Sequence, residues 1–139
     1  MKRIEFKVFG NPVAQGRPRF FRKGDFVGCY DPKTSKSWKE TIKWQAIETL
    51  SSKSGKYDPV VHITQGAITM TLNFILPRPK SLPKKVIHHI KKPDLDNLAK
   101  AVKDALKGIA YRDDSQIVSL IVTKEYGEQT GVMVTIMEI

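Results

Sequence analysis

The sequence has a single cysteine, Cys29, and no long uninterrupted apolar run. One cysteine cannot form an intramolecular disulfide or a cysteine-rich zinc site. A helix that crosses a bilayer needs about 20 consecutive, mostly apolar residues. The beginning of the chain, MKRIEFKVFG, alternates charged and apolar side chains and lacks the continuous hydrophobic segment of a secretory signal. We therefore expect an intracellular, cytoplasmic protein that makes no contact with a membrane.

Acidic side chains are scarce relative to basic ones. The chain holds 24 Lys and Arg against 14 Asp and Glu, which gives a formal net charge of +10. The excess is concentrated: residues 78–112 hold ten basic and three acidic side chains, whereas residues 113–139 hold one basic and five acidic. Such a field on a small domain is typical of proteins that meet phosphates. We predict a nucleic-acid partner, the alternative being a solvated basic surface with no partner.

The hydrophobic pattern predicts one α+β domain spanning residues 1–139. Apolar residues alternate in the first strand, at Ile4, Phe6 and Val8. Further segments have helical or alternating periodicity, while residues 12–32 show no sustained period. The predicted elements are a helix over Ser35–Leu50, a strand over Ala67–Leu76, a helix from Asp94–Asn97 to Gly108, and strands over Ile117–Tyr126 and Val132–Ile139 joined as a hairpin by GEQTG. The expected order is β-α-β-α-β-β, with a mixed or mainly antiparallel sheet and two main helices.

An acidic motif, Pro93-Asp94-Leu95-Asp96-Asn97, marks the entrance of the second predicted helix. Asp94 and Asp96 are separated by one residue, so a turning backbone could direct both carboxylates to one point. Helix capping is the alternative, because Asp and Asn are preferred at N-caps. Lys100 follows Asp96 by one helical turn. It forms either a surface ion pair with Asp96 or a positive charge for a phosphate.

A second acidic pair, Asp113-Asp114, follows that helix. If the chain turns back after the helix, these carboxylates could meet Asp94 and Asp96. Several carboxylates converging in a basic protein would form an oxygen-only site for a hard cation such as Mg²⁺. Such a site activates water and stabilises charge in phosphodiester hydrolysis.

A basic segment with two aromatic residues, Gln15-Gly16-Arg17-Pro18-Arg19-Phe20-Phe21-Arg22-Lys23, lies near the amino terminus. Arg17 and Arg19 would point to the same side of an extended backbone and suit phosphate recognition. Phe20 or Phe21 could stack on an unpaired base, with core packing as the alternative. We predict nucleic-acid contacts from a set of six basic residues: Arg17, Arg19, Arg22, Lys23, Lys91 and Lys92.

The chain resembles the RusA family of Holliday-junction resolvases, small basic endonucleases of bacteria and their prophages. The resemblance is carried by KPDLDNLAKAVKDALKGIAYRDDSQIV, residues 92–118, and by PVAQGRPR, residues 12–19. It implies an α+β homodimer that makes paired, symmetric cuts in a four-way DNA junction.

The same resemblance assigns roles to individual residues. Asp94, Asp96 and Asp114 match the aspartates that would hold Mg²⁺, and Lys100 matches an essential lysine. Asp113 matches the neighbouring acid. Arg17 and Arg19 match a basic motif in which Gln15 replaces a frequent lysine. Two alternatives stay open: a non-catalytic DNA- or RNA-binding module, and a metal-dependent nuclease for flaps or other branched DNA.

Overall fold

The computed structural model describes residues 2–16, 19–30 and 33–139, without the side chains of Arg19, Cys29 and Tyr30. The elements, in chain order, are β1 (Arg3–Phe9), β2 (Arg19–Lys23), β3 (Phe26–Tyr30), α1 (Lys33–Ser51), α2 (Pro59–His62), β4 (Ile68–Leu76), α3 (Leu95–Leu106), a 3₁₀ turn (Asp114–Gln116), β5 (Ile117–Tyr126) and β6 (Gly131–Glu138). They form one α+β domain, as the hydrophobic pattern predicts. None of the helices in the described part is long and apolar enough to cross a membrane.

A mixed four-stranded sheet in the order β1-β6-β4-β5 carries the core. β4 is central, and the residues that alternate along it are fully buried, as predicted: Ile68, Met70, Leu72, Phe74 and Leu76. β4 pairs antiparallel with β6 and parallel with β5. A parallel pair needs a crossover connection, which the segment containing α3 supplies.

α1 and α3 cover one face of this sheet. α1 contacts β1, α3 contacts β5, and the two helices contact each other. α1 buries Trp38, Ile42 and Ala46 at helical spacing, and α3 buries Leu98 and Val102 in the same core. The buried stripes fix which side of each helix faces solvent, and hence where the charged side chains of α1 and α3 lie.

The expected hairpin between the last two strands is wrong. β5 and β6 do not pair, because β4 lies between them. The four residues 127–130 can reach about 13 Å when extended, enough to cross the roughly 10 Å of two strand spacings. The most apolar strand thereby takes the centre, while β5, with Val118 and Ile121 exposed, takes an edge.

The expectation that residues 12–32 are irregular is also wrong in part. β2 and β3 form an antiparallel hairpin, closed by a turn in which Gly24 has φ +62°. The hairpin lacks a hydrophobic alternation because its apolar side chains are exposed, with Phe20 77% exposed. Core packing therefore does not account for Phe20.

Candidate active site

The acidic motif lies at the start of α3, with both carboxylates exposed. Asp94 occupies the N-cap position with an extended backbone (φ −75°, ψ 148°), but its side chain makes no capping hydrogen bond. Asp96 lies in the first turn of the helix. Both residues are exposed to solvent. Helix capping, the alternative explanation for this motif, therefore accounts for the position of Asp94 but not for its carboxylate.

The segment that leads to Arg17 lies against residues 93–97, the acidic turn at the start of α3. The Gln15 backbone N–H donates to the Asn97 carbonyl oxygen at 2.9 Å. Ser35, buried at the start of α1, holds the same segment: its Oγ donates to the Ala14 carbonyl oxygen at 3.2 Å. The structure thus brings the amino-terminal segment, as far as Gly16, to the entrance of α3.

The two arginines of that basic motif are not both described. Arg17 lies outside the described residues. Arg19 opens β2, but its side chain is outside them as well. Their predicted contacts with phosphates remain predictions, and the backbone contact of Gln15 with Asn97 is what places the motif near the acidic turn.

Lys100 pairs with Asp104, one turn further along α3, at an Nζ–Oδ1 distance of 2.8 Å. The ion pair with Asp96 that the spacing allowed is therefore wrong. The hydrogen bond to Asp104 raises the pKa of Lys100; burial opposes this, and the negative charges of Asp104 and Asp114 add to the increase. Sequence reasoning missed Asp104 as the partner of Lys100, because Asp96 lies at the same spacing of four residues on the other side. Lys100 is therefore held as a cation beside Asp104, within the electrostatic influence of Asp114.

Asp114 is positioned by a buried tyrosine. The Tyr111 hydroxyl lies 3.0 Å from Asp114 Oδ1 and 2.9 Å from the Lys103 carbonyl oxygen, so its single hydrogen is shared between these two acceptors. Burial raises the pKa of Tyr111, and the negative charge of Asp114 adds to the effect. Tyr111 therefore stays neutral and available as a donor. Sequence reasoning missed it because nothing in the spacing distinguishes it from a core aromatic residue.

Asp113 has a structural role in the turn before β5. Its side chain accepts from the Ser115 N–H at 3.0 Å, and Lys107 Nζ lies 3.0 Å from its other oxygen. The bonds to Ser115 lower the pKa of Asp113 well below its usual range, and Lys107 adds to this.

Gln116 anchors the same turn to the start of β4. Its Oε1 accepts from the Arg112 and Asp113 N–H groups, and its Nε2 donates to the Thr64 and Gly66 carbonyl oxygens. All of these bonds lie between 2.7 and 2.9 Å. A fully bonded buried amide gives the loop one geometry. The position of Asp114 is therefore determined by residues on both sides of it.

The donor chemistry of the acidic turn fits Mg²⁺. Among the described residues, no three Asp, Glu, His or Cys side chains form a group that could hold a metal ion. Mg²⁺ does not need such a cage, because it keeps several waters and commonly binds one or two carboxylates together with substrate phosphates. The exposed carboxylates of Asp94 and Asp96 offer oxygen ligands of this kind. A magnesium site involving Asp94, Asp96, Asp113 and Asp114 stays a prediction.

The other four basic residues of the predicted nucleic-acid-binding set lie on two separate exposed segments. Arg22 and Lys23 end β2, and the Arg22 Nε donates to the Gly24 carbonyl oxygen at 3.0 Å. Lys91 and Lys92 directly precede the acidic turn, and both are exposed. Lys124 of β5 donates to the Lys91 and Pro93 carbonyl oxygens at 2.7 and 2.9 Å, which ties this loop to the sheet.

Comparison with known proteins agrees with this arrangement. The family model described as Endodeoxyribonuclease RusA matches residues 10–137, most of the chain and both motif segments. The chain belongs to the RusA family. It is also 38% identical over 146 aligned residues to the uncharacterized protein YqaN of Bacillus subtilis (strain 168), a match that covers 98% of this chain and 96% of the relative.

Membership in the RusA family implies endodeoxyribonuclease activity on Holliday junctions, and therefore branched DNA as a partner. The family match includes the exposed acidic turn, Lys100 and the turn that carries Asp114. This member of a nuclease family thus carries carboxylates and the ammonium group of Lys100 on one side of α3.

Proposed function

We propose that this chain is a Mg²⁺-dependent endodeoxyribonuclease that resolves four-way DNA junctions as a homodimer, in recombination and repair. The observation that carries the proposal is the acidic turn at the start of α3. There the N-cap residue Asp94 makes no capping bond, and Asp94 and Asp96 are both exposed. Carboxylates with no structural partner in a basic protein repel DNA unless a cation lies between them and the phosphate.

Asp94, Asp96 and Asp114 would hold the ion only together with waters and the substrate phosphate, because among the described residues no three carboxylates form a metal-holding group by themselves. Bound Mg²⁺ would supply Lewis-acid polarisation of the phosphate and a lower pKa for a water nucleophile. Lys100 would contribute a positive charge to the scissile phosphate, and its hydrogen bond to Asp104, which raises the pKa of Lys100, further favours the protonated form. Tyr111 restricts the Asp114 carboxylate by hydrogen bonding to one of its oxygens.

Six basic residues would bind the DNA outside the reacting phosphate. Arg17, Arg19, Arg22 and Lys23 belong to the amino-terminal segment and hairpin, and Lys91 and Lys92 flank the acidic turn. Two opposed strands must be cut symmetrically, so two equivalent sites are needed. A two-fold homodimer supplies them.

The test is cleavage of a labelled synthetic four-way junction, compared with a linear duplex and a flap of matched sequence, in Mg²⁺ and in EDTA. We expect paired symmetric nicks on the junction alone, lost in EDTA and in the Asp94→Asn variant. Junction binding by Asp94→Asn should be retained or tighter, because a negative charge near phosphates is removed.

The other outcomes separate the alternatives. Tight junction binding without cleavage in any divalent metal would indicate a non-catalytic binding module. Preferential cutting of the flap would indicate a nuclease for other branched DNA. Full metal-dependent cleavage by Asp96→Asn would contradict the assignment of the acidic turn.

A further inference from the structure

A basic groove runs between α1 and the end of α3. Its volume is about 520 Å³. Lysines line both walls: three come from α1 and one from the residue that follows α3. Two carboxylates, one from each helix, complete its charged lining. The charged residues of the groove are Lys36, Lys39, Lys43, Lys107, Glu40 and Asp104.

The three lysines of α1 share one face of the helix. Their spacings of three and four residues place Lys36, Lys39 and Lys43 in a row. The row is fixed in direction because Trp38 and Ile42 are buried in the core. It extends about 10 Å from Lys36 to Lys43, at 1.5 Å per residue.

The carboxylates of the groove form no ion pair with the two lysines at the ends of the row, Lys36 and Lys43, among the described residues. Asp104 is bonded to Lys100 at 2.8 Å, and Lys107 is itself occupied by Asp113 at 3.0 Å. Glu40 lies four residues after Lys36 and three before Lys43 and offsets part of their repulsion, but the four lysines of the groove still outnumber its two carboxylates.

The groove is continuous with the candidate active site. Asp104 lines the groove and is also the residue that holds Lys100. The field of Asp114 acts on Lys100 as well. A DNA strand whose phosphate lies at Lys100 therefore has the lysine row directly beside it.

We propose that this groove binds the phosphate backbone of one DNA arm as it leaves the active site, an inference that rests on the proposed function. Over about 10 Å of helix axis, one strand of duplex DNA carries about three phosphates. A row of this length therefore spans more than one phosphate, and Lys36 and Lys43 lie at its two ends. The groove thus positions the arm, and Lys100 acts on the phosphate to be cut.

The test compares two double variants that remove the same charge. Lys36→Gln/Lys43→Gln alters the groove, and Lys53→Gln/Lys56→Gln alters exposed lysines in the segment after α1. The dissociation constant of the four-way junction is measured in EDTA by fluorescence anisotropy from 50 to 200 mM salt. Each lost phosphate contact lowers the slope of log K against log salt by about 0.9. The groove variant should therefore lose about 1.8 from the slope and bind roughly tenfold or more weakly.

Cleavage at saturating protein distinguishes positioning from chemistry. Raising the protein concentration to saturation should recover cleavage that the groove variant loses at lower concentration, whereas it should not recover cleavage by Asp94→Asn, because the groove supplies affinity and Asp94 belongs to the reacting site. Acetylation of the unmodified protein gives a second readout: Lys36 and Lys43 should be protected by junction DNA, and Lys53 and Lys56 should not. Equal slopes and affinities for the two double variants, or equal acetylation with and without DNA, would overturn the groove assignment alone. Failure of the native chain to bind or cut branched DNA would instead overturn the proposed function.

Discussion

At the scale of single residues, the chemistry of the site depends on how each charged group is held. Lys100 is bonded to Asp104, and Asp113 is bonded to Ser115 and Lys107. The side chain of Asp94, by contrast, makes no capping hydrogen bond to the helix that it precedes. The residues with structural partners keep a defined charge and position, whereas Asp94 is left available for a ligand.

Tyr111→Phe tests whether the tyrosine positions Asp114. The variant keeps the buried ring but removes the hydroxyl that bonds Asp114 and the Lys103 carbonyl oxygen. We expect a loss of about 1 kcal/mol in unfolding free energy, as for one hydrogen bond. The cleavage rate at saturation should fall roughly tenfold, since a freer carboxylate spends less time in the productive geometry. Urea unfolding and single-turnover cleavage measure the two effects.

The junction dissociation constant serves as the control for this variant and should not change, because Tyr111 is buried. A normal cleavage rate in a destabilised protein would show that the hydroxyl is structural only. Asp104→Asn is the comparison variant, because it removes the negative charge that pairs with Lys100 and leaves Asp114 unchanged.

At the scale of secondary-structure elements, the β2–β3 hairpin differs from the rest of the fold. Four apolar side chains in its described part are exposed: Phe20, Phe21, Phe26 and Val27. Arg22 and Lys23 lie on the same strand as Phe20. Exposed aromatic rings beside cations are the combination that binds unpaired bases by stacking and phosphates by charge.

Phe20→Ala should weaken junction binding without unfolding the protein. Phe20 is 77% exposed, so little packing is lost. Stacking on one base is worth about 1–3 kcal/mol, which corresponds to a roughly 5- to 150-fold higher dissociation constant. Phe9→Ala, at the end of β1 and 62% exposed, is the matched control. Equal affinities of the two variants for the junction, measured by anisotropy, would exclude a stacking role for Phe20.

At the scale of the whole molecule, a net charge of +10 draws DNA to the protein from any direction. Three parts of the surface could direct the bound DNA to the site: the groove between α1 and α3, the β2–β3 hairpin and the loop around Lys91. Symmetric cutting additionally requires two copies of the site, which one chain does not contain.

Mixed dimers test the requirement for two chains. A native chain paired with a differently tagged Asp94→Asn chain should cut only one strand of each junction, because each subunit would act on its own strand. Isolation through both tags, followed by denaturing electrophoresis of the products, measures the ratio of single to paired cuts. Paired cuts from the mixed dimer, or from protein that elutes as a monomer at assay concentration, would contradict the homodimer proposal.

The sequence determined the main strands and helices of the core and the acidic motifs on which the proposed site depends. Alternation and helical spacing are local properties, so the core strands, both main helices and the acidic motifs could be found without coordinates. The strand order could not, because periodicity does not say which neighbour a strand pairs with. The hairpin of residues 19–30 was missed because its exposed apolar side chains leave no alternation.

Only the tertiary structure decided which groups meet. Lys100 has carboxylates at equal spacing on both sides, and it pairs with the partly buried Asp104 rather than with the exposed Asp96. Tyr111 reaches Asp114 because the chain turns back after α3, and Gln116 ties that turn to β4. Residue types and their spacing can be read directly from the sequence. Contacts between distant segments form only when those segments fold together and bury one common core.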